Sequence, residues 1–253
     1  MKGKLLILIS ALFWFVVRSS FAETAEFEGR YWMANLEGKV SVTTDTALGT
    51  DIDLENDLGI SDENFPEARM SWYPTEKSQI RLSYTQVGYD ATKVLDKTVT
   101  FSGKTYTSGT TVNTSIDVKY ARLAWLWQLL SVGDDNLKIS PLIEAKGFEV
   151  ESSLDAPAVS LSESKKFLGG LPTVGVAFEA HLIKSVSLFA EVSGIAAGNY
   201  GHMIDAEGGI KITPLPHFSL MGGYRVFDLK VEINDDRGDL QLTGPFAGGQ
   251  LRF

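Results

Sequence analysis

Charged side chains at alternate positions are the chemistry this sequence offers most often. Glu67 and Arg69 stand two apart, as do Glu144 and Lys146. Arg81, Arg122, Glu191, Glu207 and Arg225 each lie in a run where apolar residues alternate with polar or small ones. Residues two apart in an extended chain point the same way. These charges are therefore expected to share one face of a sheet. Glu37, read in the run that starts at Trp32, joins them. Carboxylates and guanidinium groups confined together either pair and fill the space or line a polar passage whose charge selects ions.

Other chemistry is sparser. The chain has no cysteine, which excludes disulfides, thiol catalysis and any Cys-ligated metal. Asp51, Asp53 and Glu55 alternate in an acidic stretch that also holds Asp45, Asp57, Asp62 and Glu63. A calcium loop of the EF-hand kind needs Gly sixth and Glu twelfth; Asn56 and Asp62 stand there instead. A solvated loop is the expectation, with no metal and no cofactor. The histidines are His181, His202 and His217. A histidine acts as base only within reach of a proton it can take. His181 and His217 fall at corners of different hairpins. His202 lies near the rim opposite them and has no acid partner legible in sequence, so an outer-rim hydrolase is the weaker alternative.

The elements that must position the charges follow from the period of two. Pro66, Ala68, Met70 and Trp72 oppose Glu67, Arg69, Ser71 and Tyr73. After a turn at 74–78, Ile80, Leu82 and Tyr84 oppose Arg81, Ser83 and Thr85. Similar runs cover 121–130, 137–147, 172–182, 186–195, 204–212, 218–227 and 245–253, and the first places Trp32, Ala34 and Leu36 against Met33, Asn35, Glu37 and Lys39. Turns near 74–78, 131–136, 183–185 and 214–217 are short. The connections near 41–64, 91–115, 151–166 and 231–239 are longer and polar, and 197–201 is a short exception. This predicts an all-β fold, a transmembrane antiparallel up-and-down β-barrel of about ten strands, with both ends on the short-turn side. Trp32, Trp72, Trp127, Phe218 and Phe253 are expected to form an interfacial girdle.

Aligned from the short turns, Glu37, Glu67, Arg122, Glu144, Glu191, Glu207 and Arg225 fall at similar heights, with Arg69, Arg81 and Lys146 close by. Arg122 with Glu144, and Glu207 with Arg225, are expected to be cross-strand neighbours. Carboxylates outnumber bases in that layer, which predicts a proton held on one of them and a cation-favouring path. Two readings stand: a plug of paired side chains, or a narrow pore for small ions or solutes.

Residues 1–22 read as a signal peptide: Lys2 and Lys4, an apolar run from Leu5 to Val17, then Ser20-Phe21-Ala22. The run is about 13 residues, short of the roughly 20 a spanning helix needs. Residues 23–253 are then one barrel domain. Loss of Lys2, Lys4 and Arg18 lowers a formal charge already at −9 and argues against a nucleic-acid partner.

The ending Gly248-Gly249-Gln250-Leu251-Arg252-Phe253 resembles the C-terminal assembly signal of bacterial outer-membrane β-barrels. With the signal peptide and the hairpins, the resemblance covers essentially the whole chain. It implies location in the cell outer membrane among lipid and lipopolysaccharide, and insertion by the barrel assembly machinery. The expected function is a non-enzymatic, narrow or plugged porin-like envelope component. The alternative is a surface-loop binding protein, in which 41–64 and 91–115 contact a partner. The second of these loops is expected to extend as a hairpin around Ser102-Gly103-Lys104.

Overall fold

The computed structural model describes residues 25–41, 49–133, 136–233 and 236–253; the expected signal peptide, 1–22, lies outside them. Ten long strands follow in chain order: β1 (Ala25–Ser41), β2 (Glu63–Thr75), β3 (Ser78–Val94), β4 (Thr111–Trp127), β5 (Leu137–Ala156), β6 (Leu161–Ile183), β7 (Val186–Ala196), β8 (Gly201–Leu215), β9 (Phe218–Ile233) and β10 (Asp236–Arg252). Each pairs antiparallel with the next, and β10 returns to β1 from Glu26↔Arg252 to Ser41↔Arg237. The sheet is a closed up-and-down barrel. Closure leaves no unpaired edge at the seam, where Phe253 and Ala25 exchange backbone hydrogen bonds of 2.9 and 3.2 Å.

The alternation read from sequence sets the two faces. Met70, Trp72, Leu82, Leu123, Trp125, Ile143, Val192, Ile210 and Leu220 are exposed on the outside. Between them Arg69, Arg81, Arg122, Glu144 and Glu191 are buried inside. The apolar belt ends where charges take over the outer face, as at Glu37 and Lys39 on β1 and at the Lys119–Glu149–Lys166 ladder across β4, β5 and β6. A belt of four or five alternate residues on tilted strands is close to the roughly 25 Å expected of such barrels.

β1 corrects the sequence reading. Trp32, Ala34 and Leu36 point inward at 1–5% exposure, whereas Tyr31 and Met33 face out. Trp32 is therefore no part of the girdle, and Glu37 lies on the outer face. Polarity at Glu37 and Lys39 does not mark the inner face of this strand. These residues lie beyond the belt, where the outer face meets water and can carry charge.

The wall is uneven in height. β5 has 20 residues and β6 has 23, but β7 has only 11 before the single-turn 3₁₀ segment Gly198–Tyr200. The hairpin Val99–Phe101/Lys104–Tyr106 forms with Ser102 and Gly103 at φ 48° and 80°, the two positive values a tight two-residue turn needs. It does not extend upward as expected. Val99 and Tyr106 are fully buried, and Tyr106 Oη donates to the Leu154 carbonyl at 2.9 Å. The apolar face of the hairpin covers the barrel mouth.

Candidate functional site

The interior is built in three tiers. At the end that holds both termini, a polar cavity of about 220 Å³ is lined by Glu26, Tyr73, Arg81, Glu179, Glu191 and Lys211, among others. Tyr73, Gln250 and Arg252 all donate to Glu26, which ties the β1–β10 seam together inside this mouth.

The middle tier is an ion-pair lattice. Asp205 on β8 is its hub. Arg225 donates to both of its oxygens at 2.9 Å, and Arg122, Lys146 and Tyr120 reach Oδ2 at 3.2, 3.3 and 3.3 Å. Glu67 accepts from Arg122 and Arg225, each at 2.9 Å, and from Arg69. Glu207 receives a two-pronged bond from Arg69 at 2.9 and 2.7 Å and one from Arg30 at 2.8 Å. Arg81 pairs with Glu191. Glu144 is held by Ser193 at 2.6 Å and Lys146 at 3.1 Å. Paired guanidinium forks of this kind fix both distance and direction.

Nine of the ten charges singled out in the sequence face this interior: Glu67, Arg69, Arg81, Arg122, Glu144, Lys146, Glu191, Glu207 and Arg225. Glu37 does not. Asp205, Arg30 and Glu28 belong to the lattice and were missed. With these changes the carboxylate surplus disappears: Glu28, Glu67, Glu144, Glu191, Asp205 and Glu207 are matched by Arg30, Arg69, Arg81, Arg122, Lys146 and Arg225. The cation-favouring path is corrected accordingly. Glu207 and Arg225 are register partners, yet Arg225 bonds to Asp205 and Glu67. Arg122 stands opposite Lys146, one step off Glu144, because Ala124 takes the place opposite Glu144.

Glycines let two inner-face strands approach closely beside the ring of Phe246. Gly209 and Gly223 are register partners on the inner face, and a Cβ on either would lie 2.2 Å from a backbone carbonyl across the pair. Phe246 and Phe189 fill this region, and the Arg30 guanidinium lies over them at 4.7 and 5.8 Å from the ring centroids. Trp32 donates its Nε1 proton to the Gly244 carbonyl at 3.1 Å and carries the Arg225 guanidinium 4.7 Å from its ring.

The third tier, toward the long loops, is apolar. Tyr120 stacks on Phe148 at 4.6 Å, and Phe227 meets both edge-on. Trp32, Phe65 and Tyr89 form a second aromatic group. Ile52, Leu54, Leu58 and Ile60 close over them together with Val99, Phe101 and Tyr106. The acidic stretch shapes this cap. Asp53 Oδ1 accepts from the Asn56 N–H and Asp57 Oδ2 from the Asp53 N–H, both at 2.8 Å, and Lys97 pairs with Asp57 at 2.6 Å. The Asn56 hydrogen bond holds the Asp53 carboxyl below its ordinary pKa. These carboxylates serve a turn.

His202 has an acid partner after all. Its Nε2 lies 3.2 Å from Asp228 Oδ1 on the outer wall at the edge of the apolar belt. Sequence spacing hid the pair because the partners come from β8 and β9 and meet diagonally, two residues off the register Ile204↔Asp228.

No family model and no curated protein matches the chain. Among solved structures it is similar to the outer membrane protease OmpT from Escherichia coli, with 8% identity and a TM-score of 0.56 over 93% of this chain and 99% of that one. The translocator domain of the autotransporter NalP from Neisseria meningitidis aligns at 11% identity, with a TM-score of 0.48 over 100% of this chain and 95% of that one. At these identities the likeness is one of fold. The chain has the fold of the bacterial outer-membrane β-barrels.

Proposed function

We propose that this protein is an exported, non-enzymatic outer-membrane barrel with a closed lumen. Its terminal end faces the periplasm and its long loops face outward among lipopolysaccharide. A cleaved signal peptide and the barrel assembly machinery would bring it there. One observation carries the reading: a charge-balanced lattice spans the interior beneath an apolar seal. Among the described residues the two tiers stand one above the other across the interior, and an apolar constriction closes a pore by shedding its water. Purified protein in planar bilayers is expected to show insertion without current steps in either salt direction. Regular steps at moderate voltage would sink the closed-lumen reading.

A second reading, surface binding, is favoured by the wall itself. β5 and β6 run well past the apolar belt and hold a structured cap outside it. A rim hydrolase finds some support in the His202–Asp228 pair. A histidine–acid pair needs a nucleophile or positioned water to act. Comparing wild type with His202→Ala on peptide and ester substrates tests it; activity lost with the substitution would establish an enzyme.

A further inference from the structure

The raised part of the wall has two edges, and they differ. On β3 the ladder to β2 stops at Glu67↔Thr85, and residues beyond it pair with β4 alone. That edge is covered: Lys93 donates to the Asn56 carbonyl and its stem packs on Gly59 of the acidic turn. On β6 the ladder to β5 runs from Leu161 to Ala180, but β7 pairs only from Val174 to Ile183. Among the described residues, 161–173 therefore have a strand on one side only. Ser162, Ser164, Lys165, Lys166 and Phe167 are exposed there, Phe167 at 52%. A bare edge offers unpaired N–H and C=O groups to another strand.

Part of the edge is guarded. Pro172 has no N–H to give, and the ring of Phe167 lies over Gly169. At the other end Ser160 is left-handed, with φ 52°, and ends the strand. Seven residues, Leu161–Phe167, lie between these limits, and this stretch is self-complementary. Directly opposed residues in an antiparallel pair share a face, so a two-fold axis must fall on a residue. Centred on Ser164, it sets Glu163 against Lys165 and Leu161 against Phe167, twice each, on one face. Centred on Glu163, Lys165 or Lys166, it sets like charges against each other. An antiparallel pair inverts one barrel relative to the other. Two copies in one membrane cannot do this, but two copies in facing membranes can.

We infer that the Leu161–Phe167 edge of β6 pairs with the same edge of a second copy presented by an opposed membrane, joining the two surfaces. The inference rests on the loops facing outward. It is tested with vesicles carrying the full chain, using light scattering to follow vesicle–vesicle tethering. Orientation is read in the same samples by labelling Lys104→Cys, in this cysteine-free chain, with a membrane-impermeant maleimide. Wild-type vesicles are expected to tether. Lys165→Glu and Glu163→Lys should each slow tethering at least about tenfold, because like charges then stand directly opposed. Mixing Lys165→Glu vesicles with Glu163→Lys vesicles should restore it, since every opposed pair is again unlike. Outward labelling without tethering, single variants that tether like wild type, or a mixture that fails to recover would each overturn the inference. Absence of outward labelling would overturn the orientation on which it rests.

Discussion

Asp205 shows how much one side chain can organise in a closed interior. Its two oxygens receive donors from β4, β5 and β9, so truncation would strand Arg225, Arg122 and Lys146 without their shared anion. Leaving buried charges uncompensated typically costs about 3–5 kcal/mol. Asp205→Ala is expected to lower the urea midpoint of the refolded protein accordingly, and an unchanged midpoint would mean the lattice contributes little. Gly223→Val tests space instead of charge. The added side chain meets the Gly208 carbonyl and the Phe246 ring, so the variant is expected to fold poorly or lose heat-modifiable migration on gels. Asp205 was hidden because strand stagger put it outside the height window drawn from the turns, although it shares a face with Glu207. Arg30 had a legible signal. Glu26, Glu28 and Arg30 alternate with Phe27, Gly29 and Tyr31, and starting the strand there would also have fixed the phase of Trp32.

At the level of strands and loops, most of the architecture was written in the period of two. Inward charges on β2 to β9 could be assigned because the outward positions beside them are apolar through the belt. The phase failed on β1, where the belt ends and both faces become mixed. Cross-strand partners within the lattice depend on register to a single residue and on side-chain reach, which alternation does not encode. The hairpin at 99–106 was visible from Ser102-Gly103, but not its inward fold, which depends on contacts with Leu154 and the 51–60 turn. The belt makes a test of its own. Leu123 is exposed at 52% among apolar neighbours, and Leu123→Arg is expected to destabilise the protein in lipid by about 2–4 kcal/mol if the site lies near mid-membrane. The same change in a detergent-free, water-facing setting would cost far less, so comparing refolding in vesicles with a charge change at Lys119, beyond the belt, separates the two regions.

For the molecule as a whole, the two closures act in series. Removing residues 96–109 would uncap the apolar tier but leave the lattice intact, and that variant is expected to stay silent in planar bilayers. Combining the deletion with Glu67→Ala and Arg122→Ala should give measurable current, provided the barrel still shows heat-modifiable migration. The seam between first and last strands has a further consequence, for the order of events in folding. Arg252 meets Glu26 across 226 residues of chain, whereas the hairpins join neighbours. Bringing ends that far apart together costs about 5 kcal/mol of loop entropy before any contact forms, by the logarithmic scaling of loop closure. Adjacent hairpins repay their small loops early, but the seam gains only when all of them stand in line. The barrel should therefore close late and all at once. Until then it carries two exposed edges, so its most vulnerable moment falls just before it becomes a barrel.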